Sequence, residues 1–116
     1  MSEKISSVSE IRREERRLHK IFSEIDEKKK STVAGLIERA AFMRVKLQEM
    51  EKDLDLNGFT ESFRQSEKQD PYDRERPISR TYATMNGNYQ KIMKQLTDLL
   101  PKKVEEPKAG DDFDMF

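Results

Sequence analysis

Few residue types in this chain of 116 residues could do chemistry, and the densest group of them is basic. Arg12, Arg13, Arg16, Arg17 and Lys20 crowd into one short stretch. On a helix the i, i+4 spacing sets Arg12, Arg16 and Lys20 in one row, with Arg13 and Arg17 one step round. Such a row can neutralise successive phosphates of a nucleic-acid backbone. The competing reading is a solvated face, because Glu10, Glu14 and Glu15 stand at i, i+3 and i+4 distances from the same cations. Arg80, Lys91 and Lys94 make a second, thinner anion surface, opposed nearby only by Asp98.

Other constellations carry less. Asp53-Leu54-Asp55-Leu56-Asn57-Gly58 matches the opening of an EF-hand calcium loop. The twelfth position, which needs a bidentate glutamate, is Arg64, so a charged helix end with an Asn-Gly cap is the preferred reading. His19 is the one histidine and there is no cysteine, which argues against a zinc site or a His-based catalytic pair. Arg17 and Lys20 beside it mark it as a surface residue. No glycine-rich phosphate loop exists. The expectation is therefore a protein that is not an enzyme, with no metal and no cofactor. The segment Asp111-Asp112-Phe113-Asp114-Met115-Phe116 interleaves acids with large apolar groups. That pattern suits a peptide that docks into a partner's groove through Phe113, Met115 and Phe116, or a solubilising terminus.

These residues need elements to position them, and the composition bounds what those elements can be. The chain is 34% apolar and 40% charged, with 23 basic and 23 acidic residues. That supports one domain with a narrow core and no deep pocket. Zero net charge conceals a partition: residues 1–30 carry +2, 31–76 carry −2, 77–103 carry +4 and 104–116 carry −4. No apolar run can span a bilayer, and residues 1–15 lack the apolar stretch of a signal peptide. A soluble cytosolic protein is expected.

Apolar periodicity predicts an all-α protein. Residues 1–8 read as a flexible start, with Ser7 and Glu10 at capping-box spacing. A first, short helix over about 9–24 has the weak stripe Ile11, Leu18, Phe22 and Ile25, interrupted by Glu14 and Glu15. A second over about 27–56, capped by Asp26, carries the seam Val33, Leu36, Ala40, Met43, Leu47, Met50 and Leu54, widened by Ile37. Phe42 and Val45 lie off that seam and need a cover, from the first helix or from another subunit. A third helix over about 77–100 repeats the pattern with Ile78, Tyr82, Met85, Tyr89, Ile92, Leu96 and Leu99. Pro77 suits its first turn and Pro101 its stop. Tyr82 and Tyr89 fall in the seam, which favours core over base-stacking platforms. Two matched long helices predict a coiled-coil-like hairpin, parallel or antiparallel, because the extended connector 57–76 is long enough for either. Phe59, Phe63 and Tyr72 could fasten that connector to the bundle as a short hairpin. Residues 102–116 read as a disordered acidic tail.

Several stretches resemble one family. Ile21-Phe22, Glu38-Arg-Ala-Ala-Phe-Met43, Pro77-Ile-Ser79, Tyr82-Ala-Thr-Met85, Asn88-Tyr89 and Lys94-Gln-Leu-Thr-Asp-Leu-Leu-Pro101 are similar to the terminase small subunits of phages of Gram-positive bacteria. The resemblance runs from about Leu18 to Pro101. It departs in the connector, where relatives usually carry glycines, and at Gly87. It implies a DNA-packaging adaptor in the host cytoplasm that binds phage double-stranded DNA, assembles as a homo-oligomeric ring and delivers DNA to the terminase large subunit. It transfers no DNA-contacting motif, so the candidate DNA-binding residues are those of the charge reading: Arg12, Arg13, Arg16, Arg17, Lys20, Arg80, Lys91 and Lys94. The alternative is a coiled-coil protein-interaction adaptor without nucleic-acid binding.

Overall fold

The long apolar seam of the second helix organises the molecule. A computed structural model describes residues 2–102, with side chains from residue 7 onward. That helix, α2, runs Lys30–Asn57, about 42 Å at 1.5 Å per residue. The chain enters it through Asp26, whose carboxylate accepts the Lys28 amide at 3.2 Å, and a 3-10 turn at Glu27–Lys29. It leaves at Gly58, whose amide donates to the Leu54 carbonyl at 2.8 Å. Gly58 has φ 80° and ψ 175°, a region that glycine alone occupies readily.

Val33, Ile37, Ala41 and Val45, each four apart and all buried, widen the seam of Ala40, Leu47 and Leu54. The broadened surface takes two neighbours: α1 (Ser2–Ile21) and α3 (Pro77–Leu99) both pack on α2. Ser7 pairs with Glu49 and Glu14 with Arg44, so α1 is antiparallel to α2. Arg76 pairs with Asp53, Tyr82 with Glu51 and Arg44 with Tyr89, so α3 is antiparallel to α2 as well. Leu18, Phe22 and Ile25 join Val33, Ile37, Tyr89 and Leu96 in one core cluster.

Three expectations change. The first helix starts at Ser2, not near residue 9. Ser7 is not a cap: it lies within α1 and its hydroxyl donates to Glu49 Oε1 at 2.8 Å, so its polar group is satisfied across the helices. The helix also stops earlier, at Ile21. Turn bonds from the Phe22 amide to Leu18 (2.9 Å) and from the Ile25 amide to Phe22 (3.3 Å) still hold Phe22 and Ile25 in the core. The connector does contain the short hairpin its sequence suggested, β1 (Thr60–Phe63) antiparallel to β2 (Tyr72–Glu75), in register Thr60↔Glu75 to Phe63↔Tyr72.

Of the connector's aromatics, Phe59 borders the bundle, lining a pocket with Leu54 and Tyr82. Phe59 and Tyr72 are exposed. Phe63 packs within the hairpin, edge-on to Tyr72 at 5.9 Å and under the Arg74 guanidinium at 3.5 Å. Polar bonds fix the base of the hairpin. Arg76 donates to the Gly58 carbonyl at 2.7 Å and to Asp53 at 2.8 Å, and the buried Ser79 donates to the Phe59 carbonyl at 2.8 Å. The result is mostly helical: three helices, with the long α2 packed against α3, plus a small two-strand hairpin. Among the described residues no helix is long and apolar enough to cross a membrane.

Candidate nucleic-acid interface

α1 buries one stripe and exposes the other. Leu18 is fully buried, Ile11 is half-buried, and Glu14, between them on the same stripe, is only 9% exposed. A helix that turns positions 11, 14 and 18 inward turns 12, 13, 16 and 20 outward. Arg12, Arg13, Arg16 and Lys20 are all exposed. Among the described residues none of the four side chains has a hydrogen bond or an ion pair. Glu14, one of the three acids available to neutralise the row, faces the other way. From Arg12 to Lys20 the row rises about 12 Å, the length of three to four phosphates along one strand at roughly 3.4 Å each.

Arg17 is withdrawn from that row. Its Nε and one Nη donate to the two oxygens of Glu14, both at 2.7 Å. The carboxylate's bond holds the guanidinium above its ordinary pKa, against a smaller opposing effect of burial. Arg44 Nε lies 3.4 Å from the same carboxylate, and Arg44 Nη1 donates to the Tyr89 hydroxyl at 3.4 Å. One buried acid thus ties α1 to α2 and, through Arg44, to α3. Sequence reasoning missed this role by treating Glu14 as an interruption of the stripe. The signal was its position three after Ile11 and four before Leu18.

The three α3 cations lie on that helix's exposed side. Arg80 sits 3.5 Å from Glu75, and Lys94 pairs with Asp98 at 2.9 Å. Both pairs are open to water and contribute little. Lys91 is exposed without such a pair among the described residues. Because α1 and α3 share one core, their outer faces point in different directions. The structure does not merge the two basic sets into one patch.

The remaining candidates are placed as follows. His19 is exposed in the last turn of α1. Asp53, Asp55 and Asn57 belong to the last turns of α2 and do not form a loop. Asn57 donates to Asp53 at 2.9 Å and Arg76 at 2.8 Å, which together hold the Asp53 carboxyl below its usual range. Among the described residues no group of three or more His, Cys, Asp or Glu could hold a metal ion. Tyr89 is buried, and Tyr82 is half-buried with its hydroxyl donating to Glu51 at 2.8 Å, which raises its pKa. Between α1 and α2 runs a groove of about 890 Å³ that mixes Arg13, Arg44 and Lys52 with Glu10, Glu49 and Asp55, so neither charge dominates it. Val45 is covered within the chain, whereas Phe42 stays 46% exposed with Lys46 at 5.7 Å from its ring centre. Phe113, Met115 and Phe116 lie outside the described residues.

Comparison with family models, curated proteins and solved structures finds no match for this chain.

Proposed function

We propose that this protein is a non-enzymatic phage DNA-packaging adaptor. It binds viral double-stranded DNA through the outer face of α1, works as a homo-oligomer in the host cytoplasm and hands the DNA to the terminase large subunit. The observation that carries this reading is the row Arg12, Arg13, Arg16 and Lys20, exposed and without a carboxylate partner among the described residues. The resemblance of α2 and α3 to terminase small subunits supplies the phage setting.

The charge supports weak binding by one copy and firm binding by several. Four phosphate contacts correspond to a salt slope of about −3.6 in log K against log salt. Linking copies in an oligomer raises the overall affinity by orders of magnitude without new contacts per chain. In this reading the large subunit supplies the ATPase and nuclease, and Phe113, Met115 and Phe116 form the peptide that docks on it.

The test is binding of double-stranded DNA by the full chain and by a variant with Arg12→Ala, Arg16→Ala and Lys20→Ala. Circular dichroism checks that the helices persist. Loss of binding in the variant supports the reading. Equal binding by both, or none by the intact oligomer at low salt, refutes it. The second reading, an interaction adaptor without nucleic acid, rests on Phe42, Phe59 and Leu56, which are 46%, 58% and 82% exposed. It predicts loss of partner binding on Phe42→Ser with DNA irrelevant.

A further inference from the structure

α3 ends at the end of the bundle where the basic row of α1 finishes. The pairs Glu14–Arg44 and Arg44–Tyr89 set the levels of the three antiparallel helices. Continued along the helices, those registers bring Lys20, Ile37 and Leu96 to one level, and Leu18, Ile37 and Leu96 share the core cluster. α3 ends at Leu99, less than one turn further on. Residues 104–116 carry five acids and one lysine. Fully extended they reach about 43 Å. Passing round α1, a helix about 10 Å across, takes roughly 16 Å, and following the row takes about 12 Å more. The segment therefore has the length to cover the row within the same chain.

We infer that residues 104–116 fold back on the outer face of α1 and compete there with DNA. The competition rests on the proposed DNA reading of that face; the contact itself does not. Carboxylates of Glu105, Glu106, Asp111, Asp112 and Asp114 offer Arg12, Arg13, Arg16 and Lys20 the charge-assisted bonds that phosphates would. Tethering supplies the segment at an effective concentration in the millimolar range, enough for a weak electrostatic contact at low salt. A duplex held by several copies displaces it. By thermodynamic reciprocity, DNA that displaces the segment also frees Phe113, Met115 and Phe116 for another partner.

The absence of cysteine permits a single spin label through Met115→Cys in the full chain. Without DNA and at low salt, the label is expected to broaden the amide signals of α1 around Arg12–Lys20, and 0.5 M salt is expected to abolish the effect. No broadening of α1, or broadening confined to another surface such as the Phe42 side, overturns the contact. In a second arm, duplex DNA is titrated against the full chain and a chain ending at residue 103. Truncation is expected to tighten binding about tenfold at 50 mM salt and by less than threefold at 300 mM. Unchanged or weaker binding after truncation overturns the competition. Broadening of α1 with no DNA binding by either chain keeps the contact, and overturns both the competition and the DNA reading on which it rests.

Discussion

Replacing Glu14 tests how the basic row is presented, because this one carboxylate orients α1 on the bundle. Its side chain is about 10% exposed and accepts two bonds from Arg17 at 2.7 Å, with Arg44 at 3.4 Å. Glu14→Gln keeps the shape but removes the charge and one acceptor. Charge-assisted bonds are worth about 1.5–3 kcal/mol each, but Arg17 and Arg44 are 47% and 43% exposed and can turn to water when released. The expected loss therefore lies at the lower end, about 1.5 kcal/mol. Glu14→Leu removes the same bonds yet completes the apolar stripe between Ile11 and Leu18. Removing one partner of an ion pair is severe only where the other charge stays buried; Arg17 and Arg44 return to water and the added leucine buries apolar surface, so Glu14→Leu is expected within about 1 kcal/mol of the native chain. Urea unfolding followed by circular dichroism reads both. With m near 1.5 kcal/mol/M, the Gln variant unfolds roughly 1 M earlier. The reasoning fails if Glu14→Gln is neutral within about 0.3 kcal/mol, or if Glu14→Leu is the more damaging change.

Other outcomes follow from single positions. Gly58→Ala forces a side chain into φ 80°, ψ 175° and is expected to cost about 1–3 kcal/mol in the same assay. Gly87 lies in the exposed middle of α3, and a Cβ there meets nothing within 4 Å; Gly87→Ala is expected to stabilise by about 1 kcal/mol and raise the melting temperature by several degrees. Asp53 has its carboxyl lowered first by the bond from Asn57 and then by that from Arg76. A lowered carboxyl contributes stability that is present above the ordinary aspartate pKa and lost as pH falls through the folded value. Acid titration of stability is therefore expected to be flatter for Asp53→Asn than for the native chain below about pH 4, and identical profiles contradict this.

The long helices were legible because their signal is redundant. Seven seam residues in α2 and seven in α3 agree on one period, and Gly58 and Pro77 mark ends that the structure keeps. The antiparallel direction was not legible, since a 20-residue connector permits both directions and only pairs such as Arg44–Tyr89 and Glu51–Tyr82 distinguish them. The start of α1 was misplaced because Ser7 has the chemistry of a cap; its bond to Glu49, 42 residues away, is a tertiary contact invisible to local reasoning. The same limit hid Glu14. A glutamate on a weak apolar stripe reads as a defect until two arginines, one on another helix, satisfy it. Of the basic cluster, the shared face of Arg12, Arg16 and Lys20 was readable from i, i+4 spacing. That Arg17 is spent on Glu14 and that the α3 cations face elsewhere required the fold.

The proposed function places DNA phosphates on the outer face of α1. It is tested most directly by the salt dependence of duplex binding, per chain, for the native protein and for the Arg12→Ala, Arg16→Ala, Lys20→Ala variant. A slope near −3.6 is expected for the native chain, and a slope smaller in magnitude by about 2.7, with weaker binding at every salt concentration, for the variant. Equal slopes for the two proteins would contradict it.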